Sequence, residues 1–483
     1  ERKGKSEMRG SNFINGSWSD DKAGVCHPVI NPATGEGLAK VAWATPEQVE
    51  SAIGTASTAF QTWGLSSKQE RIDLLDAIVA GLTARQEELG ETISKEMGFP
   101  IDAAVSQQAG GGIGELRTIS EALAKMDLQY AFTAEDSSQQ ISLEPVGVAA
   151  LITPWNWPLA QVTLKLGAAL AAGCTCVLKP SEMSPLVAIL LAEVMDDIGA
   201  PAGVFNLVQG DGATVGAQLT AHSKVDMVSF TGSTRAGRAI SISAAQTIKR
   251  VALELGGKSP SIVFADADLD KAIRETVGAC FHNTGQNCNA PTRLLVQRPI
   301  YQDVLNRIKE FASSIHVGMP QAHGDHLGPL ISQTQMERVQ AYIEGAMEEG
   351  ARLVTGGPGR PDGLDNGWFT RPTVFADVDT TMSIWREEIF GPVLAITPFD
   401  TEEDAVILAN DTEYGLAAYL SSSDPDRCQR VARQLRAGMI EINGASLAPG
   451  TPFGGMKQSG NGREGGKYGI EDFLEAKAIA GWP

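Results

Sequence analysis

The chain of 483 residues has little cysteine, little histidine and fewer positive than negative charges. Its six cysteines include no CxxC pair, and its six histidines show no HExxH spacing. The sparse cysteines exclude a dense disulfide framework, and the histidine pattern gives no support for a metal site. We therefore expect reduced thiols and no bound metal. Cys174 and Cys176 lie in an apolar stretch and are expected to be packing residues.

Long apolar runs and blocks of basic residues are also absent. No run of about 18 apolar residues would span a membrane, and the N-terminal stretch lacks the apolar segment of a signal peptide. The formal net charge of −19 repels phosphate backbones. We therefore expect a cytoplasmic, soluble protein that binds neither membrane nor nucleic acid. Residues 1–7 are left out of the fold prediction.

The chain is long enough for roughly two to four domains. Residues 46–126 carry apolar side chains at helical spacing and predict three helices. Residues 128–145 predict two short strands around a polar turn, and residues 474–483 predict a final strand. A second region of alternating strands and helices begins near residue 260.

Strand-like runs alternate with helix-like segments between residues 146 and 256. This alternation predicts a doubly wound parallel sheet with helices on both faces, the α/β class. Ligands of such sheets bind at the carboxyl ends of the strands. Five loops fall there: PWNWP, KPSE, QGDG, TGSTRAG and ELGGK. The sequence therefore predicts a binding site along that edge.

None of these loops is a standard phosphate-binding fingerprint. GDGATVG (210–216) misses the GxGxxG spacing, and LELGGKS lacks the first P-loop glycine because Ala252 stands in its place. TGSTRAG (231–237) is better placed, since a strand ends there and a helix begins, and free N–H groups of that turn would suit a pyrophosphate. An ordinary capped helix start explains this segment equally well.

Several polar residues lie among apolar residues at the same edge. Asn156 offers an amide between two tryptophans, although a turn residue is the simpler reading. Lys179 and Glu182 suit the hydroxyls of a ribose or form a surface ion pair. Glu254 ends an apolar strand, where burial would raise its pKa toward that of a useful base.

One cysteine, Cys288, lies in the stretch GQNCNAP (285–291) with no base beside it in the sequence. A buried, inert thiol is the default interpretation. A cysteine nucleophile, a distant carboxylate base, an amide donor and dinucleotide loops together suit oxidation of an aldehyde through a thioester.

Seven motifs in the chain resemble those of the NAD(P)-dependent aldehyde dehydrogenase superfamily, in the same order and over most of the chain. They are PWNWP (154–158), KPSE (179–182), FTGSTRAG (230–237), LELGGK (253–258), GQNC (285–288), EEIFGPV (387–393) and PFGGMKQSGNGRE (452–464).

The resemblance implies a Rossmann-like cofactor domain, a second α/β catalytic domain and a small β oligomerisation element. The implied bounds are 8–127 and 146–256 for the NAD(P)-binding domain, 128–145 and 466–483 for the oligomerisation element, and 257–465 for the catalytic domain. The resemblance also implies a homodimer or homotetramer.

The resemblance assigns roles to individual residues. It makes Cys288 the nucleophile, Glu254 the general base and Asn156 an oxyanion donor together with the backbone N–H of Cys288. The cofactor contacts it implies are Ile152, Thr153, Pro154, Trp155, Lys179, Ser181, Glu182, Gly212, Gly216, Phe230, Thr231, Gly232, Ser233, Gly237, Leu255, Gly256, Glu388 and Phe390.

Alternatives within and beyond this chemistry stay open. A CoA-acylating semialdehyde dehydrogenase is less favoured because Glu254 is retained, and a catalytically silent paralogue is less favoured because Cys288 and Asn156 are present. Glu182 would repel a 2′-phosphate, so we expect NAD as cofactor, with NADP as the alternative. Trp155, Trp157 and Phe281 are expected to line a tunnel for an apolar or aromatic aldehyde.

Overall fold

The structure is a computed structural model, and it describes residues 9–19 and 25–483. Residue 8, where the implied cofactor domain starts, lies outside these ranges, as do residues 1–7. All six cysteines lie within them and are free thiols, as the sequence predicts. None of the described helices is long and apolar enough to cross a membrane.

The strands of the described residues, in chain order, are β1 (Phe13–Ile14), β2 (Ser17–Trp18), β3 (Cys26–Ile30), β4 (Gly37–Ala42), β5 (Gln129–Ala131), β6 (Gln139–Pro145), β7 (Val148–Ile152), β8 (Thr175–Lys179), β9 (Phe205–Leu207), β10 (Met227–Thr231), β11 (Arg250–Glu254), β12 (Pro260–Val263), β13 (Arg293–Gln297), β14 (Arg352–Thr355), β15 (Thr373–Ala376), β16 (Val393–Phe399), β17 (Ala417–Ser421), β18 (Met439–Ile442) and β19 (Leu474–Ala480).

The α-helices of the same residues are α1 (Pro46–Trp63), α2 (Lys68–Ala84), α3 (Gln86–Glu96), α4 (Ile101–Ala103), α5 (Gly110–Lys125), α6 (Ala160–Ala172), α7 (Leu186–Asp197), α8 (Ala217–Ala221), α9 (Thr234–Ala244), α10 (Leu269–Phe281), α11 (Tyr301–Ser314), α12 (Gln333–Glu348), α13 (Ser383–Arg386), α14 (Glu402–Asn410), α15 (Pro425–Gln434) and α16 (Gly466–Asp472).

The first large sheet has the strand order β11-β10-β7-β8-β9-β1-β2. The first five strands are parallel, and α6, α7 and α9 follow β7, β8 and β10 along the chain. The predicted doubly wound sheet is therefore confirmed. The chain order reverses between β7 and β10, which is where ligands of such sheets bind.

The register of this sheet brings the predicted site residues to one level. Ile152 pairs with Lys179 on one side and with Phe230 on the other, and Thr231 pairs with Glu254. Four neighbouring strands therefore end together, and their loops share one edge.

The second large sheet has the order β14-β15-β16-β13-β12-β17-β18 and is parallel apart from the β14–β15 pair. The ELGGK loop leaves the carboxyl end of β11 and enters the amino end of β12. The loop of Cys288 and the loop before β16 also enter this amino edge. The site therefore lies where the carboxyl edge of one sheet faces the amino edge of the other.

A small antiparallel sheet, β19-β6-β5, joins the predicted hairpin to the predicted C-terminal strand. Both strand predictions are confirmed. The division of the chain into three domains at the bounds given above stays a prediction.

The prediction of three helices over 46–126 is wrong, because the segment forms α1, α2, α3 and a further helical run from α4 to α5. Arg85 separates α2 from α3 without a glycine or proline. The run from α4 to α5 includes a π-helical turn at residues 104–109, which the sequence pattern does not indicate.

Candidate active site

A cavity of about 450 Å³ lies beside helix α6 and the end of α10, and it reaches the side chain of Cys288. One wall comes from the start of α6 and the residues before it, including Trp157 and Leu164. Tyr419 and Phe453 also line the cavity. Cys288 is half-buried, so its thiol is within reach of a small molecule.

The turn before Cys288 is strained. Asn283, Thr284 and Gly285 have φ angles of 54°, 55° and 73°, in the left-handed region that a β-branched threonine rarely adopts. Thr284 Oγ1 donates to the Gly328 carbonyl at 2.9 Å, and a Cβ at residue 285 would stand 2.1 Å from the Gly391 carbonyl oxygen. These contacts fix the loop that carries the cysteine. Such strain is typical of functional sites.

Asn156 is buried against the same loop. Its Nδ2 donates to the Gln286 backbone carbonyl at 2.8 Å. The backbone carbonyl of Asn156 accepts hydrogen bonds from the side chains of Gln108 at 3.1 Å and Asn283 at 3.0 Å. The second hydrogen of the Asn156 amide and the backbone N–H of Cys288 have no acceptor among the described residues. Both donors are therefore available to a ligand oxygen.

Glu254 ends β11 and is only 3 % exposed, yet neither carboxylate oxygen has a hydrogen-bond partner among the described residues. Burial, and after it the negative charge of Glu464, raise the pKa of Glu254 well above its ordinary value. Lys165 and Arg463 oppose this shift. A buried carboxyl group of raised pKa is suited to accept a proton near neutral pH.

Sequence reasoning missed a buried ion pair beside Glu254. Lys165 Nζ lies 2.5 Å from Glu464 Oε1, and the two side chains are 1 % and 10 % exposed. A lysine inside the apolar helix α6 was the available signal, because such a residue is rarely buried without a partner. The two charges of this pair therefore act on the carboxyl group of Glu254.

The surroundings of the Cys288 thiol disfavour its thiolate form. Burial raises its pKa most, followed by the carboxylates of Glu388 and Glu254. A reaction at this thiol would therefore require a neighbouring base to take its proton.

The carboxyl edge of the first sheet carries the predicted cofactor contacts. Lys179 Nζ is buried, donates to the carbonyls of Gly210 at 2.6 Å and Pro180 at 3.0 Å, and lies 3.4 Å from Glu182 Oε2. Ser233 is the N-cap of α9, and Ser181 accepts a bond from Met183 N at 3.3 Å. The Lys179 and Glu182 side chains therefore meet at the end of β8.

The other predicted cofactor contacts at this edge include apolar side chains and hydroxyl groups. Ile152 and Leu255 are buried apolar side chains, and Pro154 and Phe230 adjoin the same strand ends. Two buried hydroxyls there, those of Thr153 and Thr231, have no hydrogen-bond partner among the described residues.

The glycines at this edge fall into two groups. A Cβ at Gly232, Gly237 or Gly256 would collide with the protein itself, at 2.4 Å from Phe230, 2.8 Å from Leu255 and 2.3 Å from the Glu388 carboxylate. Gly212 and Gly216 have no neighbour closer than 3.6 Å to such an atom. The protein's own packing does not require glycine at those two positions, which leaves space for a ligand.

Glu388 and Phe390 reach the same place from the second sheet. Glu388 Oε1 accepts a bond from Gly257 N at 3.0 Å, and the Phe390 ring meets Trp155 edge to face at 5.8 Å. Burial raises the pKa of Glu388 to about 7. Nearby Lys258 has a buried ammonium group without a partner among the described residues, and burial lowers its pKa to about 7.

The expected tunnel lining is only partly right. Trp157 lines the cavity at Cys288 as expected. Trp155 instead packs against Phe390, and Phe281 is buried in the core of the second sheet. Neighbouring positions in a loop or at a helix end point to different sides, and a sequence pattern does not show which side faces the cavity. Tyr419 and Phe453, which line the cavity, are far away in the sequence.

Comparison with known proteins identifies the family. The family model described as "Aldehyde dehydrogenase family" matches residues 18–479. A 3-succinoylsemialdehyde-pyridine dehydrogenase of Pseudomonas sp is 48 % identical, over 97 % of this chain and 98 % of that protein.

Solved structures agree with this match. The aldehyde dehydrogenase of Bartonella henselae has a TM-score of 0.96 at 48 % identity, with 98 % of this chain and 99 % of that chain covered. A mutant of aldehyde dehydrogenase C from Pseudomonas syringae, in complex with NAD+ and octanal, has a TM-score of 0.96 at 45 % identity, with 100 % and 99 % covered. The chain belongs to the aldehyde dehydrogenase family.

Proposed function

We propose that the protein oxidises an aldehyde to a carboxylic acid with NAD+, using Cys288 as nucleophile, Asn156 as oxyanion donor and Glu254 as base. The observation that carries this proposal is the cavity that reaches Cys288 beside free N–H donors, together with the unpartnered buried carboxylate of Glu254, whose charge acts on the Cys288 thiol. Relatives crystallised with NAD+ support the choice of cofactor.

In the first step the Cys288 thiolate forms a bond to the aldehyde carbon, and the thiol proton passes to a base. The carbonyl oxygen becomes an alkoxide, which accepts hydrogen bonds from the Asn156 amide and the Cys288 backbone N–H. Preorganised donors of this kind contribute roughly 3 kcal/mol each to the transition state. Gln286 holds the Asn156 amide in place through its carbonyl.

The chemistry that bound NAD+ supplies is acceptance of the hydride from the aldehyde carbon. Cys288 is then left as a thioester. Glu254 takes a proton from water, the hydroxide attacks the acyl carbon, and the carbon–sulfur bond breaks to give the carboxylic acid and free Cys288. The raised pKa of Glu254 suits this exchange of protons.

The residues at the carboxyl edge fit a dinucleotide. Lys179 and Glu182 would hold the adenosine ribose, the N-terminus of α9 at Ser233 would hold the pyrophosphate, and Glu388 and Phe390 would hold the nicotinamide riboside. The unpaired hydroxyls of the threonines at this edge and the open space at its glycines fit a ligand there. The Glu182 carboxylate disfavours a 2′-phosphate, so NAD is preferred to NADP.

The protein works in the cytoplasm as a homodimer or homotetramer in this proposal. Tyr130 and Phe132, in or next to β5, are 45 % and 68 % exposed, which suits a covered face of the small sheet. Free cysteines suit a reducing compartment.

The test is NADH formation over a panel of aldehydes by the native protein and by Cys288→Ala. We expect turnover to fall by about 10³-fold or more in the variant, since a covalent step is lost. Cys26→Ala, which removes an exposed thiol, is the matched control and should keep full turnover. Undiminished turnover by Cys288→Ala would overturn the nucleophile assignment.

A further inference from the structure

One histidine, His282, follows α10 and lines both the cavity at Cys288 and a second cavity of about 430 Å³. Each of its ring nitrogens has a partner. Nε2 is 2.9 Å from Gln107 Oε1, and Nδ1 is 3.2 Å from Asn287 Nδ2. What the residue does therefore depends on which of its nitrogens carries a proton.

The neighbours of Asn287 fix the orientation of its side-chain amide. Asn287 Nδ2 is 3.0 Å from the backbone carbonyl oxygen of His282, which can only accept a hydrogen bond. Asn287 Oδ1 is 2.7 Å from Trp157 Nε1, which can only donate one. A flipped amide would place oxygen against oxygen at one end and N–H against N–H at the other. Asn287 therefore presents its N–H groups to His282.

The tautomer of the His282 ring follows from that orientation. Because Asn287 donates to Nδ1, this nitrogen carries a lone pair. The proton of the neutral ring is then on Nε2, which donates to Gln107 Oε1. A second proton would stand on Nδ1 and point at an N–H group of Asn287. The contacts of the ring therefore suit the neutral form and oppose the imidazolium.

The electrostatic surroundings of His282 act in the same direction. Burial lowers the pKa of His282, and the charge of Asp325, in the lining of the second cavity, opposes this shift only in part. His282 is therefore neutral near pH 7 and takes up a proton in the acidic range. The other titratable side chains of the two linings are His316 and His326 in the second cavity and Glu115, Cys288 and Tyr419 in the first.

Asn287 joins the two segments that carry the oxyanion donors of the proposed reaction. It precedes Cys288, whose backbone N–H is one donor, and it is bonded to Trp157, which follows Asn156, the other donor. A proton on Nδ1 of His282 would remove the acceptor of one Asn287 N–H group. The amide could then satisfy the ring only by turning its oxygen toward it, and Trp157 would lose its acceptor.

We propose that His282 is a positioning residue, which in its neutral form holds Asn287 and Trp157 together and releases them when it gains a proton. This inference rests on the proposed function for the role of the two donors but not for the hydrogen bonds that join their segments. Acidification should therefore weaken the binding of a carbonyl compound beside Cys288.

Binding of hexanamide to Cys288→Ala, measured by calorimetry, tests this role without turnover, because the amide is an uncharged and unreactive carbonyl compound. We expect its affinity to be constant near neutral pH. The affinity should fall about fivefold as the pH is lowered to about 5, the lower end of the range in which histidines titrate.

Adding His282→Asn to Cys288→Ala should abolish this pH dependence and keep the affinity of neutral pH. An asparagine oxygen can replace Nδ1 as the acceptor for Asn287, and the amide gains no proton in this range. His282→Phe keeps a ring to pack against Trp157 and Phe99, whose rings are 5.8 Å and 5.4 Å from that of His282. It offers no acceptor, so its affinity should be about fivefold lower at every pH.

His316→Asn is the matched control, because His316 is an exposed histidine that lines the second cavity and not the first. It should keep the pH dependence of Cys288→Ala. An undiminished acid loss in His282→Asn, or native affinity in His282→Phe, would overturn the proposal. The result for His282→Asn decides alone if melting curves show that His282→Phe is unfolded.

Turnover of hexanal separates this proposal from the proposed function. Glu254 and Cys288 titrate in the native enzyme and in His282→Asn alike, so the difference between the two pH profiles of kcat/KM reports on His282. We expect kcat/KM for hexanal to fall further in acid for the native enzyme, with the KM for NAD+ equal in both. Identical profiles with normal turnover would overturn the role of His282 and leave the proposed function standing. No turnover of any aldehyde, with the binding results as expected, would overturn the proposed function and leave the role of His282 standing.

Discussion

Two buried glutamates, Glu96 and Glu254, have raised pKa values for the same first reason, which is burial. Glu96 ends α3, and its oxygens accept hydrogen bonds from Leu186 N at 2.8 Å and Val187 N at 3.2 Å, in the first turn of α7. Glu254 has no such partner.

The difference separates a carboxylate with a structural role from one that is free to take part in the proposed reaction. Glu96 satisfies two of the free N–H groups at a helix start and joins α3 to α7. An unpaired carboxylate such as Glu254 destabilises the fold and is retained where a reaction needs it. Replacement by glutamine should therefore lower the stability of the fold at Glu96 and lower turnover at Glu254.

The largest effect is expected for Glu254→Gln. Steady turnover should fall by roughly 10²- to 10⁴-fold, because the water that hydrolyses the thioester loses its base. Rapid-mixing kinetics should still show a first burst of NADH if another base takes the thiol proton. The melting temperature should stay equal or rise, since the variant removes a buried unpaired acid.

Glu96→Gln is the control for that experiment. It should keep turnover within about twofold, because the Glu96 carboxylate is bonded to the start of α7 and its charge does not act on the Cys288 thiol, whereas that of Glu254 does. If Glu254→Gln kept native steady turnover, or if Glu96→Gln lost as much activity, the contrast between the two residues would be wrong.

A slightly smaller effect, on stability, is expected for Lys165→Met. Removing one partner of a buried ion pair leaves Glu464 unpaired and should cost about 3–5 kcal/mol in the free energy of unfolding. Because Lys165 lowers the pKa of Glu254, the rise of activity with pH should also move to higher pH. Thermal unfolding and a pH–rate profile measure the two changes.

Lys95→Met is the matched control, since Lys95 forms an exposed pair with Glu91 at 3.3 Å. Such a pair contributes about 0–1 kcal/mol. An unchanged pH–rate profile in Lys165→Met would show that the buried pair does not influence the base.

Sequence patterns predicted the first sheet because each of its strands is a short apolar run between turn residues. They also identified Glu254 as a polar residue at a strand end. They did not reveal the burial of Glu464, because a glutamate in a glycine-rich loop has no local sign of burial. They could not separate Glu254 from Glu96 either, since the partners of Glu96 are about 90 residues away.

The rule that ligands bind at the carboxyl edge of a parallel sheet was also incomplete, because a local sequence pattern does not show contacts between distant parts of the chain. It identified the carboxyl edge of the first sheet, but the Cys288 loop enters the amino edge of the second. The two halves of the site come together because the two sheets face each other. That arrangement depends on contacts between residues far apart in the sequence.

A further prediction concerns the pH dependence of Glu96→Gln. Burial raises the pKa of Glu96 to about 8, so the folded state binds its proton more tightly than the unfolded chain. That stability is fully present below the unfolded pKa, near 4.5, and is lost as the pH rises through about 8. The melting temperature of the native protein should therefore fall between pH 6 and pH 9.

The variant has no such proton, so its melting temperature should vary less over the same interval. At pH 6 it should be the less stable protein, by about 1–3 kcal/mol, because the amide cannot accept both backbone hydrogen bonds. Parallel melting curves of the two proteins at all pH values would contradict the assignment.

The smallest effects should come from two threonines of the first sheet, which extend the contrast between paired and unpaired groups. Thr175 Oγ1 donates to the Ala56 carbonyl at 2.9 Å, whereas Thr231 Oγ1, at the cofactor edge, has no partner among the described residues. Thr175→Val should lower stability by about 1 kcal/mol and leave the KM for NAD+ unchanged. Thr231→Val should leave the melting temperature unchanged and raise that KM about two- to fivefold, the loss of one ligand hydrogen bond. The reverse pattern would show that an unpaired hydroxyl at this edge is not reserved for the cofactor.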